Sequence, residues 1–250
     1  MGFDRDRNYV YWNPWHGCTK VSEGCRNCYV YRQDAMRGVV TQSSVVRRNA
    51  GFDLPVRRNR HGGWKVAAGS VVFTCFTSDF LLDAADAWRA EAWDMIRMRR
   101  DVTFYFFTKR IERFADAVPA DWGDGWDNVA VGCTVENQQM ADRRLPVFKS
   151  LKIKYKSIIA APLLGPLDLR PYLDGSIEEV SAGGESGAGA RVLDYEWVLD
   201  LRRQCVEAGT EFHLHQTGAR LLKDGRIYRI PRCHQHEQAK KAMLSFRVER

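Results

Sequence analysis

Three cysteines lie close together near the start of the chain, and their spacing constrains function more than any other feature. Cys18, Cys25 and Cys28 occur within the segment WNPWHGCTKVSEGCRNCYVY. Three thiolates can hold a four-iron, four-sulfur cluster whose fourth iron stays open, or a zinc ion that takes one outside ligand. The chain has seven cysteines, and an odd number with three crowded together is not the pattern of a disulfide framework. The three cysteines therefore indicate a metal centre.

Short apolar runs alternate with helical patterns along the chain, which is typical of a parallel sheet with crossover helices. We therefore expect an α/β fold, a partial or complete TIM-type barrel of six to eight strands, in one domain over residues 1–250. The predicted strands are 9–12, 70–76, 102–107, 128–133, 156–160, 179–182 and 211–215. The predicted helices are 26–37, 84–99, 111–117, 136–149 and 195–208.

The composition indicates a folded protein, since 45% of its 250 residues are hydrophobic and can bury a core. The first residues are charged, and no apolar stretch approaches the length of about 18 residues that spans a bilayer. We therefore expect a cytoplasmic protein that has no membrane partner.

Positive charge is concentrated in residues 38–69, which interrupt the alternation and are expected to form an excursion over one face of the sheet. The net charge of the chain is +7, and this segment carries Arg57, Arg58 and Arg60 beside Trp64. Basic residues interleaved with aromatic ones suit a phosphate backbone and its bases, so the three arginines are predicted substrate contacts. The alternative is a solvated loop whose arginines pair locally.

Polar residues follow the predicted strands at their carboxyl ends, the edge at which parallel barrels place their sites. The cysteines follow the first strand, so they are expected at the same edge. The candidate site residues at the other strands are Ser78, Asp79, Lys109, Thr134, Glu136, Asn137, Gly183, Gly184, Glu185, His213, His215 and Gln216. Several have an alternative role, because Asp79, Glu136 and Asn137 could cap helices and the histidines could be buried and satisfied.

The cysteines after the first strand of a barrel resemble the radical S-adenosylmethionine superfamily, although the spacing C-x6-C-x2-C departs from the usual C-x3-C-x2-C. The whole chain is similar to a phage-associated and prophage-associated family of three-cysteine proteins of unknown function. The motifs that carry this resemblance are WNPWHGCTKVSEGCRNCY, FTSDF, FTKRIERF, VGCTVENQ, APLLGP, GGESG and HQTGAR.

The resemblance implies a 4Fe-4S cluster on Cys18, Cys25 and Cys28, with S-adenosylmethionine on the fourth iron. Such an enzyme generates a 5′-deoxyadenosyl radical, needs an electron donor protein, and would here modify or repair nucleic acid or a nucleotide. Around the cofactor, Ser78 and Asp79 would lie near the methionine amine, and Lys109 would hold its carboxylate or a substrate phosphate. Glu136 and Asn137 would meet the ribose hydroxyls, with Thr134 beside them. Gly183 and Gly184 would allow close approach of the backbone, and Glu185 would supply the charge at that turn.

Two residues depart from what the family usually shows, because Ala161 stands in place of a glutamate and His215 in place of a lysine. These changes could alter or abolish activity, so a degenerate barrel is one alternative. A second alternative is a zinc-binding, nucleic-acid-binding module without catalysis, in which His16 is the fourth ligand. The sequence alone leaves iron–sulfur and zinc open.

Overall fold

Seven strands form one parallel sheet that curves into a half-barrel. The structure, a computed structural model, describes residues 8–39 and 45–248. In chain order the strands are β1 (Tyr9–Trp12), β2 (Trp15–His16), β3 (Arg47–Arg48), β4 (Val71–Thr74), β5 (Thr103–Thr108), β6 (Val129–Thr134), β7 (Tyr155–Ala160), β8 (Glu179–Gly183), β9 (Leu193–Asp194), β10 (Glu211–Gln216), β11 (Arg220–Lys223) and β12 (Arg226–Arg229). The sheet order is β1-β4-β5-β6-β7-β8-β10, and every neighbouring pair is parallel.

The prediction of six to eight parallel strands is confirmed, while a closed barrel is not formed by the described residues. There β1 and β10 are the two edges of the sheet. The helices are α1 (Tyr29–Met36), α2 (Asp86–Met98), α3 (Phe114–Ala117), α4 (Gln138–Ser150), α5 (Tyr195–Glu207) and α6 (Arg232–Lys241). They follow the predicted segments except that α1 begins at Tyr29 rather than at residue 26, that residues 111–113 before α3 form a 3₁₀ turn, and that the sequence did not predict α6.

The two faces of the sheet differ in what they bury. Alternate residues of β6 show the division, because Val129 and Val131 belong to the main core under the helices while Ala130 packs with Phe73 and Tyr105 on the concave face. All six residues of β6 are buried. Burial on both faces explains why the central strands read as continuous apolar runs in the sequence.

A second, three-stranded sheet has the order β12-β11-β9 and was not predicted. Strands β11 and β12 are antiparallel and joined by Asp224 and Gly225, which have φ angles of 51° and 70°. Two successive left-handed residues are the geometry of a type I′ hairpin turn, for which Asp-Gly is a favoured pair. The Asp-Gly dipeptide between two short runs was the signal that could have identified this hairpin.

The excursion predicted for residues 38–69 packs against the half-barrel, with residues 40–44 lying outside the described part. Phe52 is 4% exposed and Val66 is 2% exposed, and both belong to the main core. The indole of Trp12 donates to the carbonyl of Phe52 at 2.9 Å, and Arg99 donates to the carbonyl of Val66 at 2.8 Å. These contacts fasten the segment to β1 and to the end of α2.

Over the ranges that the structure describes, every helix is too short or too polar to cross a membrane.

Candidate functional site

The three predicted ligands lie on one loop between β2 and α1. Cys18, Cys25 and Cys28 are all free, half-buried thiols. Cys28 directly precedes α1, so its side chain lies at the end of the helix where backbone N–H groups lack helical partners. The loop therefore presents three sulfurs at the carboxyl edge of the half-barrel, as the sequence predicts.

Tyr31 binds the cysteine loop, because its phenol donates a hydrogen bond to the carbonyl of Cys18. Burial raises the pKa of Tyr31 to about 12, and negative charge on Cys18, Cys28 and Cys25 raises it further, in that order of importance.

The described residues do not distinguish a zinc site from a cluster site. Among the described residues no group of three or more His, Cys, Asp or Glu side chains could hold one metal ion. Thiolates that share one zinc lie about 3.8 Å apart, since Zn–S bonds are about 2.3 Å long and tetrahedral. In an iron–sulfur cluster each thiolate binds a different iron, so the sulfurs are spaced more widely. His16 lies 2.5 Å from Asp34 through its Nε2 and is engaged there.

Arg110 reaches the cysteine loop. The sequence is consistent either with this position at the site or with a surface ion pair between Arg110 and Glu112 or Asp116. Its Nη1 lies 3.7 Å from Cys18 Sγ, and its Nη2 donates to the carbonyl and the hydroxyl of Thr19 at 2.8 and 2.7 Å. Burial raises the pKa of the Cys18 thiol to about 11, while the positive charge of Arg110 opposes this increase. Arg110 therefore supplies both a donor and a compensating charge to a sulfur that would be a thiolate when it binds metal.

Asp79 positions Arg110. The carboxylate is 5% exposed and lies 3.2 Å from Arg110 Nη1. It also accepts hydrogen bonds from Thr108 Oγ1 at 2.7 Å, Lys109 N at 3.0 Å and Leu81 N at 3.0 Å. Both of its oxygens have protein partners, so the structure uses Asp79 to hold Arg110 rather than leaving it free for a methionine amine.

Glu136 is another predicted cofactor contact that the structure uses internally. It is fully buried and pairs with Arg144 at 2.8 Å. Its second oxygen accepts the backbone N–H of Gly24 at 3.3 Å, and a Cβ on Gly24 would lie 2.9 Å from the carboxyl carbon. The carboxylate is inaccessible to ribose hydroxyls in this structure. It anchors the cysteine loop to the end of β6.

Glu185 holds the same loop from the opposite side. Its carboxylate accepts hydrogen bonds from Asn27 at 2.9 Å and from the backbone N–H of Arg191 at 2.8 Å. Arg191 also donates to the carbonyl and carboxylate of Glu23, at 3.0 and 3.1 Å. The turn after β8 is therefore fastened to the segment that contains Cys25 and Cys28. Asn27 and Arg191 carried no distinguishing signal in the sequence.

The remaining predicted cofactor residues have mixed environments. Asn137 caps α4 by accepting from Met140 N at 3.0 Å, which is the capping role that the sequence left open. The hydroxyl of Ser78 donates to the carbonyl of Gly17, and Thr134 is buried with its carbonyl bonded to Arg144 at 2.8 Å. Lys109 is half-buried, and its ammonium has no hydrogen-bond or ion-pair partner in the described part of the chain. Of the charged residues among the predicted cofactor contacts, Asp79, Glu136 and Glu185 are paired and Lys109 is without a partner in the described part of the chain.

The two glycines after β8 make close contacts within the protein. A Cβ on Gly183 would lie 2.2 Å from the ring of His215, and one on Gly184 would lie 2.7 Å from the carbonyl of Thr217. The amide of Gln216 donates to the carbonyl of Gly184 at 2.7 Å. Gly183 and Gly184 therefore allow β10 and the residues after it to pack closely against the end of β8.

His215 and His213 are structural in this arrangement. His215 Nδ1 lies 2.9 Å from the carbonyl of Ala182, so this nitrogen carries the proton. Burial lowers the pKa of His215 to about 4, and burial also lowers the pKa of His213, whose Nδ1 lies 3.1 Å from Ser245 Oγ. Ala161 follows β7 and His215 lies on β10, so β8 lies between the two positions that depart from the family.

The predicted substrate arginines are partly neutralised by neighbours. Arg57 pairs with Asp53, and Arg58 stacks on Trp64 with its guanidinium carbon 3.2 Å from the ring centre. Arg60 donates to His61 at 3.0 Å. Arg57 and Arg58 therefore contact neighbours in their own segment, which is the alternative that the sequence allowed.

A row of paired residues, one from each of five neighbouring strands, crosses the concave face of the sheet. Phe107, Gly132, Ser157, Glu179 and Glu211 are successive partners on β5, β6, β7, β8 and β10. A Cβ on Gly132 would lie 2.6 Å from the Phe107 ring, which shows that this ring covers the glycine. The row changes from aromatic through small to acidic. It ends in two neighbouring carboxyl groups.

Glu179 is the buried member of that pair and predicts a pH dependence. Burial, and next the charge of Glu211, raise the pKa of Glu179 from 4.5 to about 7, while Arg247 opposes the increase. Its Oε1 has no hydrogen-bond partner among the described residues. The folded state therefore binds this proton more tightly than the unfolded chain, and stability should be lost as the pH rises from about 4.5 to about 7.

We expect Glu179→Gln to remove this loss and to stabilise the protein above neutral pH by up to about 3 kcal/mol. Urea unfolding of both proteins between about pH 5 and about pH 8 measures the effect. The exposed Glu207 provides a control, because Glu207→Gln should leave the pH dependence unchanged. If the free energy of unfolding depended on pH equally in wild type and Glu179→Gln, the assignment of this pH dependence to Glu179 would be contradicted.

Comparison with known proteins gives one match. The sequence model of a family described as a protein of unknown function, DUF5131, matches residues 8–244. No curated protein and no solved structure matches the chain.

Proposed function

The chain belongs to the DUF5131 family, and we propose that it is a radical S-adenosylmethionine enzyme that acts on nucleic acid or a nucleotide. One observation carries the proposal: three free, half-buried thiols lie on one loop at the carboxyl edge of a parallel half-barrel. The crowded thiols also favour a reducing compartment such as the cytoplasm.

The residues around the thiols fit a cluster. Cys18, Cys25 and Cys28 would each bind one iron as a thiolate, and Arg110 would donate towards the Cys18 sulfur. Asp79 keeps Arg110 in place, while Glu136 and Glu185 hold the two sides of the loop. When bound, the cluster and S-adenosylmethionine would supply a radical that removes hydrogen from an unactivated C–H bond.

The surroundings also control access to the thiols. Tyr29 follows Cys28, and its hydroxyl donates to the carbonyl of Phe76 at 2.6 Å. This contact closes the loop against the concave aromatic face that contains Phe73 and Phe107. On the other side, a cleft of about 310 Å³ lined by Cys28, Tyr31 and Arg32 leaves Cys28 within reach of solvent. A ligand can therefore approach Cys28 through this cleft.

Anaerobic purification tests the proposal directly. We expect brown protein with about four iron and four sulfide per chain, and formation of 5′-deoxyadenosine after S-adenosylmethionine and a reductant are added. Colourless protein with one zinc would overturn the proposal in favour of a zinc module. An intact cluster that forms no 5′-deoxyadenosine would favour a barrel that has lost catalysis.

A further inference from the structure

A basic hairpin stands beside the thiol loop, formed by β11 and β12 (residues 220–229) together with Arg232. It contains five basic residues against one acid, Asp224. The basic residues are Arg220, Lys223, Arg226, Arg229 and Arg232. The four arginines form no ion pair within the described ranges. This differs from the excursion at 38–69, where Arg48 pairs with Glu91 and Arg57 with Asp53.

The strand register places like charges opposite each other. Arg220 faces Arg229, and Lys223 faces Arg226, so two of the four cross-strand pairs join cations. Like charges directly opposite one another destabilise a sheet. The buried Nε of Arg220 also has no acceptor among the described residues. The isolated protein carries an electrostatic cost here that an anionic ligand would remove.

The hairpin also exposes apolar surface next to these charges. All four residues of β12 are exposed, and Ile227 and Tyr228 are 48% and 42% exposed. The alternation of a strand puts Ile227 and Arg229 on one face and Arg226 and Tyr228 on the other. The guanidinium carbon of Arg226 lies 5.9 Å from the centre of the Tyr228 ring. A cation beside an exposed aromatic ring suits a phosphate and an unpaired base.

The base of the hairpin contacts the candidate site. The backbone N–H of Ala219 donates to the carbonyl of Glu185 at 2.7 Å, and Glu185 binds Asn27 beside Cys28. A strand bound along the hairpin would therefore pass close to the thiol loop.

We propose that the basic hairpin binds the phosphodiester backbone of a single-stranded nucleic acid and directs it to the thiol loop. The inference rests on the proposed function for its substrate class and names the surface that holds that substrate. Phosphates would lie between Arg220 and Arg229 and beside Arg226, where they would separate the opposed cations. Tyr228 would stack on a base. A simpler explanation for charges on an edge strand is protection from self-association, and the experiment separates the two.

Fluorescence anisotropy of the full chain with labelled single-stranded DNA and RNA tests the proposal over about 50 to 200 mM salt. We expect Arg226→Ala/Arg229→Ala to weaken binding at least about tenfold and to lower the salt slope by about 1.4, or about 0.7 per lost phosphate contact. Tyr228→Ala should weaken binding about tenfold with an unchanged salt slope, because stacking releases no counterions. Comparison of DNA with RNA identifies the natural strand.

The matched control removes the same charge from the opposite end of the sheet. Lys152 and Lys154 precede β7 and pair with Asp124 and Asp127, so Lys152→Ala/Lys154→Ala should bind within about twofold of wild type. Arg226→Ala/Arg229→Ala should keep or raise the midpoint of thermal unfolding, since it removes one cation from each of the two like-charge pairs. This result would exclude misfolding as the cause of weaker binding.

The proposal would be overturned if Arg226→Ala/Arg229→Ala bound nucleic acid as tightly as the wild type, or if Arg57→Ala/Arg58→Ala alone lost binding. It would also be overturned if the wild type bound anionic vesicles more tightly than nucleic acid, or if self-association were the single property that Arg226→Ala/Arg229→Ala changed. Formation of 5′-deoxyadenosine without nucleic acid is measured on the same proteins. If the wild type forms none but the hairpin binds, the proposed chemistry fails and the binding surface stands. If the wild type forms 5′-deoxyadenosine but the hairpin does not bind nucleic acid, the proposed chemistry stands and the binding surface fails.

Discussion

Replacing any one of Cys18, Cys25 or Cys28 by serine should abolish the bound iron and sulfide and stop formation of 5′-deoxyadenosine. Each thiolate would bind a separate iron, so no remaining ligand can substitute for a lost one. Serine has nearly the size of cysteine but offers a hard, protonated oxygen in place of a soft thiolate. We expect activity to fall more than about 100-fold, beyond the loss that removal of a supporting partner causes.

The control for this experiment is Cys233, an exposed free cysteine on α6. Cys233→Ser should retain iron, sulfide and activity, which would show that the effect belongs to the loop. Retention of a full cluster in any of the three loop variants would contradict the ligand assignment. If the loop variants lose zinc instead of iron, the protein is the zinc-binding, nucleic-acid-binding module without catalysis.

The sheet could be predicted from the sequence because parallel strands are buried on both faces. The run 128–133 was recognised as a strand from its apolar residues, and β6 occupies Val129–Thr134 with every residue buried. The hairpin was missed because β12 is exposed along its whole length, so it shows no apolar alternation. Its one local signal is the turn at Asp224 and Gly225.

The position of the site could be predicted better than the roles of its residues. Polar residues at strand ends must meet at one edge of a parallel sheet, and the thiols, Asp79, Glu136 and Glu185 do lie there. Which of them bind each other depends on side-chain geometry that spacing along the chain does not contain. The sequence suggests a ribose contact for Glu136, but its partner is Arg144, which lies about two turns into α4 and is buried. Arg110 was left open because a surface pair within its helix was equally consistent with the sequence.

The hydrogen-bond pattern at Asp79 and Arg110 shows why such residues act as positioning groups. Asp79 accepts four hydrogen bonds, three of them from Thr108, Lys109 and Leu81, so its oxygens are fixed before Arg110 binds. A fixed carboxylate holds the guanidinium in one orientation, and the guanidinium then joins the end of β5 to Thr19 beside Cys18. The strand end thereby determines where one sulfur of the loop lies.

Arg110→Met should destabilise the fold strongly and alter the cluster. The substitution keeps an unbranched side chain but leaves the Asp79 carboxylate, 5% exposed, without its positive partner. Removing one partner of a buried pair costs about 3–5 kcal/mol, and the three other donors to Asp79 place the expected loss near about 3 kcal/mol. Loss of a positive charge 3.7 Å from Cys18 Sγ should also make reduction of a bound cluster harder and lower its potential. Urea unfolding and an anaerobic redox titration measure the two effects.

A second substitution distinguishes the buried pair from a general loss of packing. In Asp79→Asn/Arg110→Met no charge remains buried without a partner, so the double variant should recover part of the stability that Arg110→Met loses. Arg100→Met removes the same charge from an exposed position and should change the free energy of unfolding by less than about 0.5 kcal/mol. The cluster potential should recover only in part in the double variant, because Asp79→Asn removes a negative charge near Cys18 while the Arg110 donor to Cys18 Sγ is still missing. Complete recovery of the potential would contradict a direct contribution of Arg110 to the cluster.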